Sequence, residues 1–201
     1  TIGADAFMGC TSLESVTFAT DAKLATIGNY TFSDCSLLNN VTIPATVATV
    51  GTYGFRNCFA LGNITFAEPA EGATPVALNI GANTFEKCTS LENITLPDRT
   101  NTIGANAFTG CGNLVSMDLP FIGYNRGSTA AASTTLGYIF GATSYDNSYA
   151  ANMWSTTNYY IPNGLTTVTI RGGNILQNAF LRCKFIETLI LPENLYSNTA
   201  I

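Results

Sequence analysis

The sequence predicts an α/β solenoid of about seven repeats, with a parallel β-sheet on its concave side and short helical turns and loops on its convex side. Three observations predict it. Ile80, Phe85, Cys88, Leu91, Ile94 and Leu96 are separated by five, three, three, three and two residues, and the same ruler fits at five other places. Glycine follows the first aliphatic in five of the six copies, and proline follows the last in four, at Pro44, Pro97, Pro120 and Pro192. A unit of about 23 residues cannot bury its own apolar face, so successive units must stack into one core.

The copies run Ile2-Gly3, Phe7, Cys10, Leu13, Val16, Phe18, then Ile27-Gly28, Phe32, Cys35, Leu38, Val41, Ile43, then Val50-Gly51, Phe55, Cys58, Leu61, Ile64, Phe66. They continue with Ile103-Gly104, Phe108, Cys111, Leu114, Met117, Leu119, and end with Ile175, Phe180, Cys183, Ile186, Leu189, Leu191, where Leu176 replaces the glycine. Within each unit the last two aliphatics alternate about one outward residue, which is the two-residue period of a strand. Proline then ends the strand. Ile-Gly predicts a tight turn, and Ala107, Phe108 and Cys111 fall at a one-turn helical spacing.

The Phe-to-Phe steps are 25, 23, 30 and 23 residues as far as Phe108, and the long step predicts a polar loop around Glu68-Pro69-Ala70-Glu71-Gly72. Beyond Phe108 the order breaks. Leu136-Gly137 and Phe140 resemble an altered Ile-Gly and Phe, and Leu165, Val168 and Ile170 restore the strand. Leu136 to Leu165 spans 29 residues against 11 for Ile80 to Leu91, which predicts an insert of about 18 residues in the sixth unit, with the irregular stretch covering 121–164. Its aromatics, Tyr145, Tyr149, Trp154, Tyr159 and Tyr160, predict an ordered loop that either packs on the fold or offers a second binding surface. The chain begins and ends partway through a repeat, which predicts a segment of a longer protein forming a single solenoid over 1–201.

The repeat resembles that of the BspA-like bacterial surface proteins, Leu-x-x-Val-x-Ile-Pro followed by Val-x-x-Ile-Gly-x-x-Ala-Phe-x-x-Cys. Leu38 to Cys58 matches best, with Pro44, Val47, Val50-Gly51, Phe55 and Cys58 in place. The resemblance implies a leucine-rich-repeat solenoid, a cell-surface or secreted location, and adhesion to a host or matrix protein or glycan. In related leucine-rich repeats the cysteine position carries a leucine, which implies a packing role.

Six cysteines in equivalent positions form a column of parallel side chains, a poor geometry for the roughly 90° torsion of a disulfide. Buried thiols are favoured over disulfides, and both over a metal, because the chain has no histidine. That absence removes histidine-based triads and proton shuttles. No glycine-rich phosphate loop stands between a strand and a helix. Glu14, Glu92 and Glu187 share one repeat position and predict a solvated strand edge, not a catalytic row. These readings predict a non-enzyme without cofactor or metal.

A net charge of −5 with no basic cluster argues against nucleic acid. Mean hydropathy is +0.21, yet no apolar run approaches the roughly 18 residues of a membrane span, so the hydropathy reflects periodic core positions. A monomer is expected. The outward strand residues, Asn40 and Thr42, Asn63 and Thr65, Asn93 and Thr95, Ser116 and Asp118, Thr167 and Thr169, line the expected concave face and are the candidate partner-binding residues. Asn29, Asn40, Asn63 and Asn93 begin Asn-x-Thr sequons, and the last three predict side-chain ladders before glycosylation.

Overall fold

The structure, a computed structural model, describes residues 1–19, 23–130, 133–154 and 157–193, without the side chains of 152–154. In chain order the strands are β1 (Ser15–Val16), β2 (Thr26–Ile27), β3 (Asn40–Ile43), β4 (Thr49–Val50), β5 (Asn63–Phe66), β6 (Leu78–Ile80) and β7 (Asn93–Thr95). They continue as β8 (Thr100–Ile103), β9 (Ser116–Leu119), β10 (Ser148–Trp154), β11 (Thr157–Pro162), β12 (Thr167–Ile170) and β13 (Thr188–Ile190).

The strands predicted from Leu-x-x-Ile-x-Leu form the front of the solenoid. They stack in parallel, in register, as β1-β3-β5 and β7-β9-β12-β13. Their alternation is visible in burial: Val41 and Ile43 point inward while Asn40 and Thr42 are exposed. The expected sheet has a break, because no ladder joins β5 to β7.

Two local expectations change. The Ile-Gly segments are strands, and β2-β4-β6-β8 make a second parallel sheet. Isoleucine and valine here are β-branched and fully or almost fully buried at Ile27, Val50, Ile80 and Ile103, which suits a strand better than a turn. The Phe-Cys segments are tight turns in place of helical pieces. Each places two residues at positive φ, four apart: Tyr53 (59°) with Asn57 (57°), and Asn83 (55°) with Lys87 (60°). A left-handed residue every four positions prevents a helix from propagating. The amides instead reach the next coil, with Phe55 N–H donating to the Thr84 carbonyl and Phe85 N–H to that of Ala107, both at 2.8 Å.

Three columns hold coil to coil. Phe7, Phe32, Phe55, Phe85 and Phe108 stack with ring centroids 5.2–5.8 Å apart. The glycines after the aliphatic sit where backbones nearly touch. A Cβ on Gly51 would lie 2.5 Å from the Gly28 carbonyl carbon, and one on Gly81 would lie 2.5 Å from the Thr52 nitrogen. Close approach therefore demands glycine here, and φ does not. The cysteines form the third column. The first four Phe carbonyls of the column each accept from the amide of their own Cys and from the thiol one coil on: Cys35 Sγ to Phe7 at 3.1 Å, Cys58 to Phe32 at 3.1 Å, Cys88 to Phe55 at 3.3 Å and Cys111 to Phe85 at 3.1 Å. A leucine would fill the space but leave that lone pair empty. All six cysteines are free thiols.

In the sixth unit Phe108 N–H donates to the Ile139 carbonyl at 2.8 Å, as Phe85 does to Ala107, so the fully buried Phe140 takes the next Phe position. A 3-10 turn at Leu136–Ile139 supplies it. The rest of 121–164 carries the antiparallel hairpin β10-β11. One hydrophobic cluster extends from Leu24 to Ala179 and includes Leu136, Ile139, Phe140 and Ile161 of this unit.

Candidate interaction surface

The parallel register brings the candidate residues into columns. Asn40 aligns with Asn63 and Thr42 with Thr65, and the two threonine hydroxyls hydrogen-bond at 2.8 Å. Across the break, Asn93, Ser116 and Thr167 align, as do Thr95, Asp118 and Thr169, and the Ser116 hydroxyl donates to Asn93 Oδ1 at 2.6 Å. Asn40, Thr42, Asn63, Thr65, Asn93 and Thr95 are exposed, whereas Ser116, Asp118, Thr167 and Thr169 are half-buried.

Arg171 accounts for part of that difference. Its guanidinium donates to Asp98 at 2.9 Å, to Asp118 and to the Leu96 carbonyl, so Asp118 is already occupied. The sequence carried a signal for this clamp. Arg171 stands directly after the strand, where four other units have proline. Ala67 is another departure at that position, and it opens the long polar loop.

The loop shapes the front face. A cleft of about 690 Å³ lies between β3 and residues 67–76, with Val16, Phe18, Pro44, Ala45, Pro69 and Val76 as its apolar wall and Asn40, Thr42, Thr46 and Thr74 as polar groups. A second cleft of about 340 Å³ fills the break between β5 and β7, lined by Asn63, Thr65, Asn93 and Thr95. Glu68 borders both. Arg99 fixes the walls: it donates to the carbonyls of Val47 at 2.9 Å, Val76 at 3.1 Å and Pro44 at 3.3 Å. Burial lowers its pKa and the nearby Glu68 charge opposes that shift.

The insert tyrosines lie against the fold. The Tyr145 hydroxyl donates to the Tyr160 carbonyl at 2.8 Å, and burial raises its pKa. Tyr149 meets Phe185 edge-on at 4.9 Å, with Lys184 Nζ 5.2 Å from its ring, and burial pushes its hydroxyl up to about 12. Tyr159 packs over Gly137, where any side chain would strike its ring, and Tyr160 is half-buried. The Trp154 side chain lies outside the described residues.

Chemistry elsewhere is subdued. Burial pushes the Cys35 thiol up to about 11 and those of Cys111 and Cys183 up to about 12, and it raises Cys58 and Cys88 as well, so these sulfurs stay protonated. Among the described residues no acidic or cysteine cluster could hold a metal ion, and no helix is long and apolar enough to cross a membrane.

No curated protein matches the chain. A solved leucine-rich repeat protein of T. pallidum is 23% identical with a TM-score of 0.52, covering 84% of this chain and 66% of its own. One from Bacteroides ovatus is 22% identical with a TM-score of 0.57, covering 94% of this chain and 39% of its own. Both likenesses concern the fold, and the chain spans less than two thirds of each. The BspA type leucine rich repeat region matches in 6 copies over residues 1–122 and 74–169. With its Phe, Gly and Cys columns running through those same copies, the chain belongs to the BspA-type leucine-rich repeat family, a family of repeats suited to protein interaction.

Proposed function

We propose that this chain is a non-enzymatic interaction module of a surface or secreted protein, which holds a protein or glycan partner on its front strand face in an adhesive role. The observation that carries the reading is the uncharged run from Asn40 to Thr95. Its short amides and hydroxyls are exposed on strands whose inner sides are buried, and on β3 and β5 they are presented in register. A rigid array of donors and acceptors loses little entropy on binding. The lack of histidine and the protonated thiols support a role without covalent chemistry.

Saturable binding to immobilised matrix proteins or to a glycan array tests this. Thr65→Lys and Thr95→Lys should weaken it without unfolding the chain, since both side chains face solvent. Absence of binding by the wild-type chain and by its full-length parent would leave a spacer that presents a neighbouring domain.

A further inference from the structure

We infer that the cleft between β3 and the 67–76 loop receives an extended segment of a partner protein, with an apolar side chain seated beside a lysine or arginine. This rests on the reading of the front face as an interaction surface and names the subsite and the chemistry it takes.

The cleft's volume of about 690 Å³ lies within the range that seats a specific group. Its wall of Val16, Phe18, Pro44, Pro69 and Val76 is solvent-accessible apolar surface beside the amides and hydroxyls of Asn40, Thr42, Asn63 and Thr65. Val76 is 39% exposed, and nothing among the described residues covers it. Such a wall favours an aliphatic or aromatic anchor. A neutral sugar would find one ring, Phe18, and that ring is half-buried.

The wall is fixed before any partner arrives. Arg99 ties the Pro44 turn to Val76 through their carbonyls, so both sides of the cleft are positioned by one guanidinium. A preformed site avoids the entropy of ordering a loop.

Charge selects the neighbour of the anchor. Among the described residues Glu68 is the one ionisable side chain lining the cleft, it is exposed, and it also borders the second cleft between β5 and β7. Among the described residues Glu68 has no ion pair, and the donors of Arg99 turn to carbonyls. A cationic side chain beside the anchor reaches Glu68, and the peptide continues over Thr65 and Thr95.

The test is amide NMR of the whole 201-residue chain, titrated with capped peptides. The panel places Leu, Val, Ile or Phe beside Lys or Arg in a Ser/Thr background, with matched peptides carrying Glu in place of the cation. A neutral oligosaccharide is the further probe. The expected result is shifts at Phe18, Thr42, Glu68 and Val76, with the cationic peptides about threefold tighter than their Glu counterparts, the size of an exposed ion pair. Glu68→Lys should invert that ranking, and Val76→Lys should abolish the shifts. An unchanged ranking in Glu68→Lys, or shifts caused by the oligosaccharide alone, would overturn the proposal. Peptide shifts confined to Thr167 and Thr169 would overturn the cleft and leave the front face standing. No shift anywhere, together with no binding in the matrix and glycan assays, would overturn both.

Discussion

Between β5 and β6 the chain adds a polar loop, and between β9 and β12 it adds a 3-10 turn and a hairpin. The two additions interrupt opposite sheets. The loop lies on the path from a front strand to a second-sheet strand, and it costs the front its β5–β7 ladder while β4 and β6 still pair at Val50 and Ile80. The 121–164 segment replaces a second-sheet strand, and no strand follows β8 in that sheet among the described residues. Meanwhile β9 and β12 stay in register over four residues. Each coil therefore needs one intact sheet to join its neighbour. The Phe column tolerates the loop, where centroids open to 5.8 Å, and changes at the insert, where Phe140 keeps the site but makes no stacked pair with Phe108.

The comparison sharpens under alkali, where the largest effect is expected. Raised folded-state pKa values mean that the folded chain holds protons the unfolded chain releases. Stability is complete below the unfolded thiol value of 9.0 and drains as pH rises toward 11–12, the folded values for Cys35, Cys111 and Cys183. Tyr149 of the hairpin adds its loss one unit later, from 10.0 to about 12. Thermal melts should fall steeply from pH 9, and a flat profile to pH 11 would contradict the buried column.

Single substitutions come next. Phe85→Ala should destabilise by about 3–5 kcal/mol in urea melts. Phe140→Ala should cost about 1 kcal/mol less, the contribution of a stacked aromatic pair. Equal losses would show that the column continues unchanged into the insert. Gly81→Ala should cost about 3 kcal/mol through overpacking. Gly62→Ala, whose added Cβ meets nothing nearer than 3.4 Å, should cost about 0.5 kcal/mol or less. At the bottom of the scale, Thr95→Ser faces water and should stay within about 0.5 kcal/mol.

What the sequence made legible follows from periodicity. Buried positions recur at fixed spacing, so Phe32, Phe55, Phe85, Phe108 and the cysteines between them were assignable without coordinates. Phe140 was legible because Leu136-Gly137 ahead of it still resembles the Ile-Gly of the other units, even though the spacing is one residue shorter. The second sheet was hidden, since strands of two to four residues carry too little alternation to separate a strand from a turn. The turns were hidden for another reason. Asn57, Asn83 and Asn106 are ordinary left-handed residues, but Tyr30, Tyr53 and Lys87 adopt the same conformation with no such marking. From β3 to β7 the front residues point outward as read, yet the loop that divides that face lies outside the repeat pattern, and Arg171 was marked only by standing where four other units have proline.

The doubly used Phe carbonyl has a mechanical consequence. From Cys35 to Cys111, each of four successive coils is fastened to the one before it by one thiol, a few amides and a ring, and among the described residues nothing in that column reaches two coils away. Under tension applied at its two termini, coils held only by these contacts give way one at a time, while Arg99 and Arg171, which bond two coils back, tie theirs into larger steps. Each released coil of 23 residues, Phe85 to Phe108, pays out roughly 80 Å of extended polypeptide. A chain that lengthens in steps of 23 to 30 residues yields gradually under shear, and the coils still wound keep their fold.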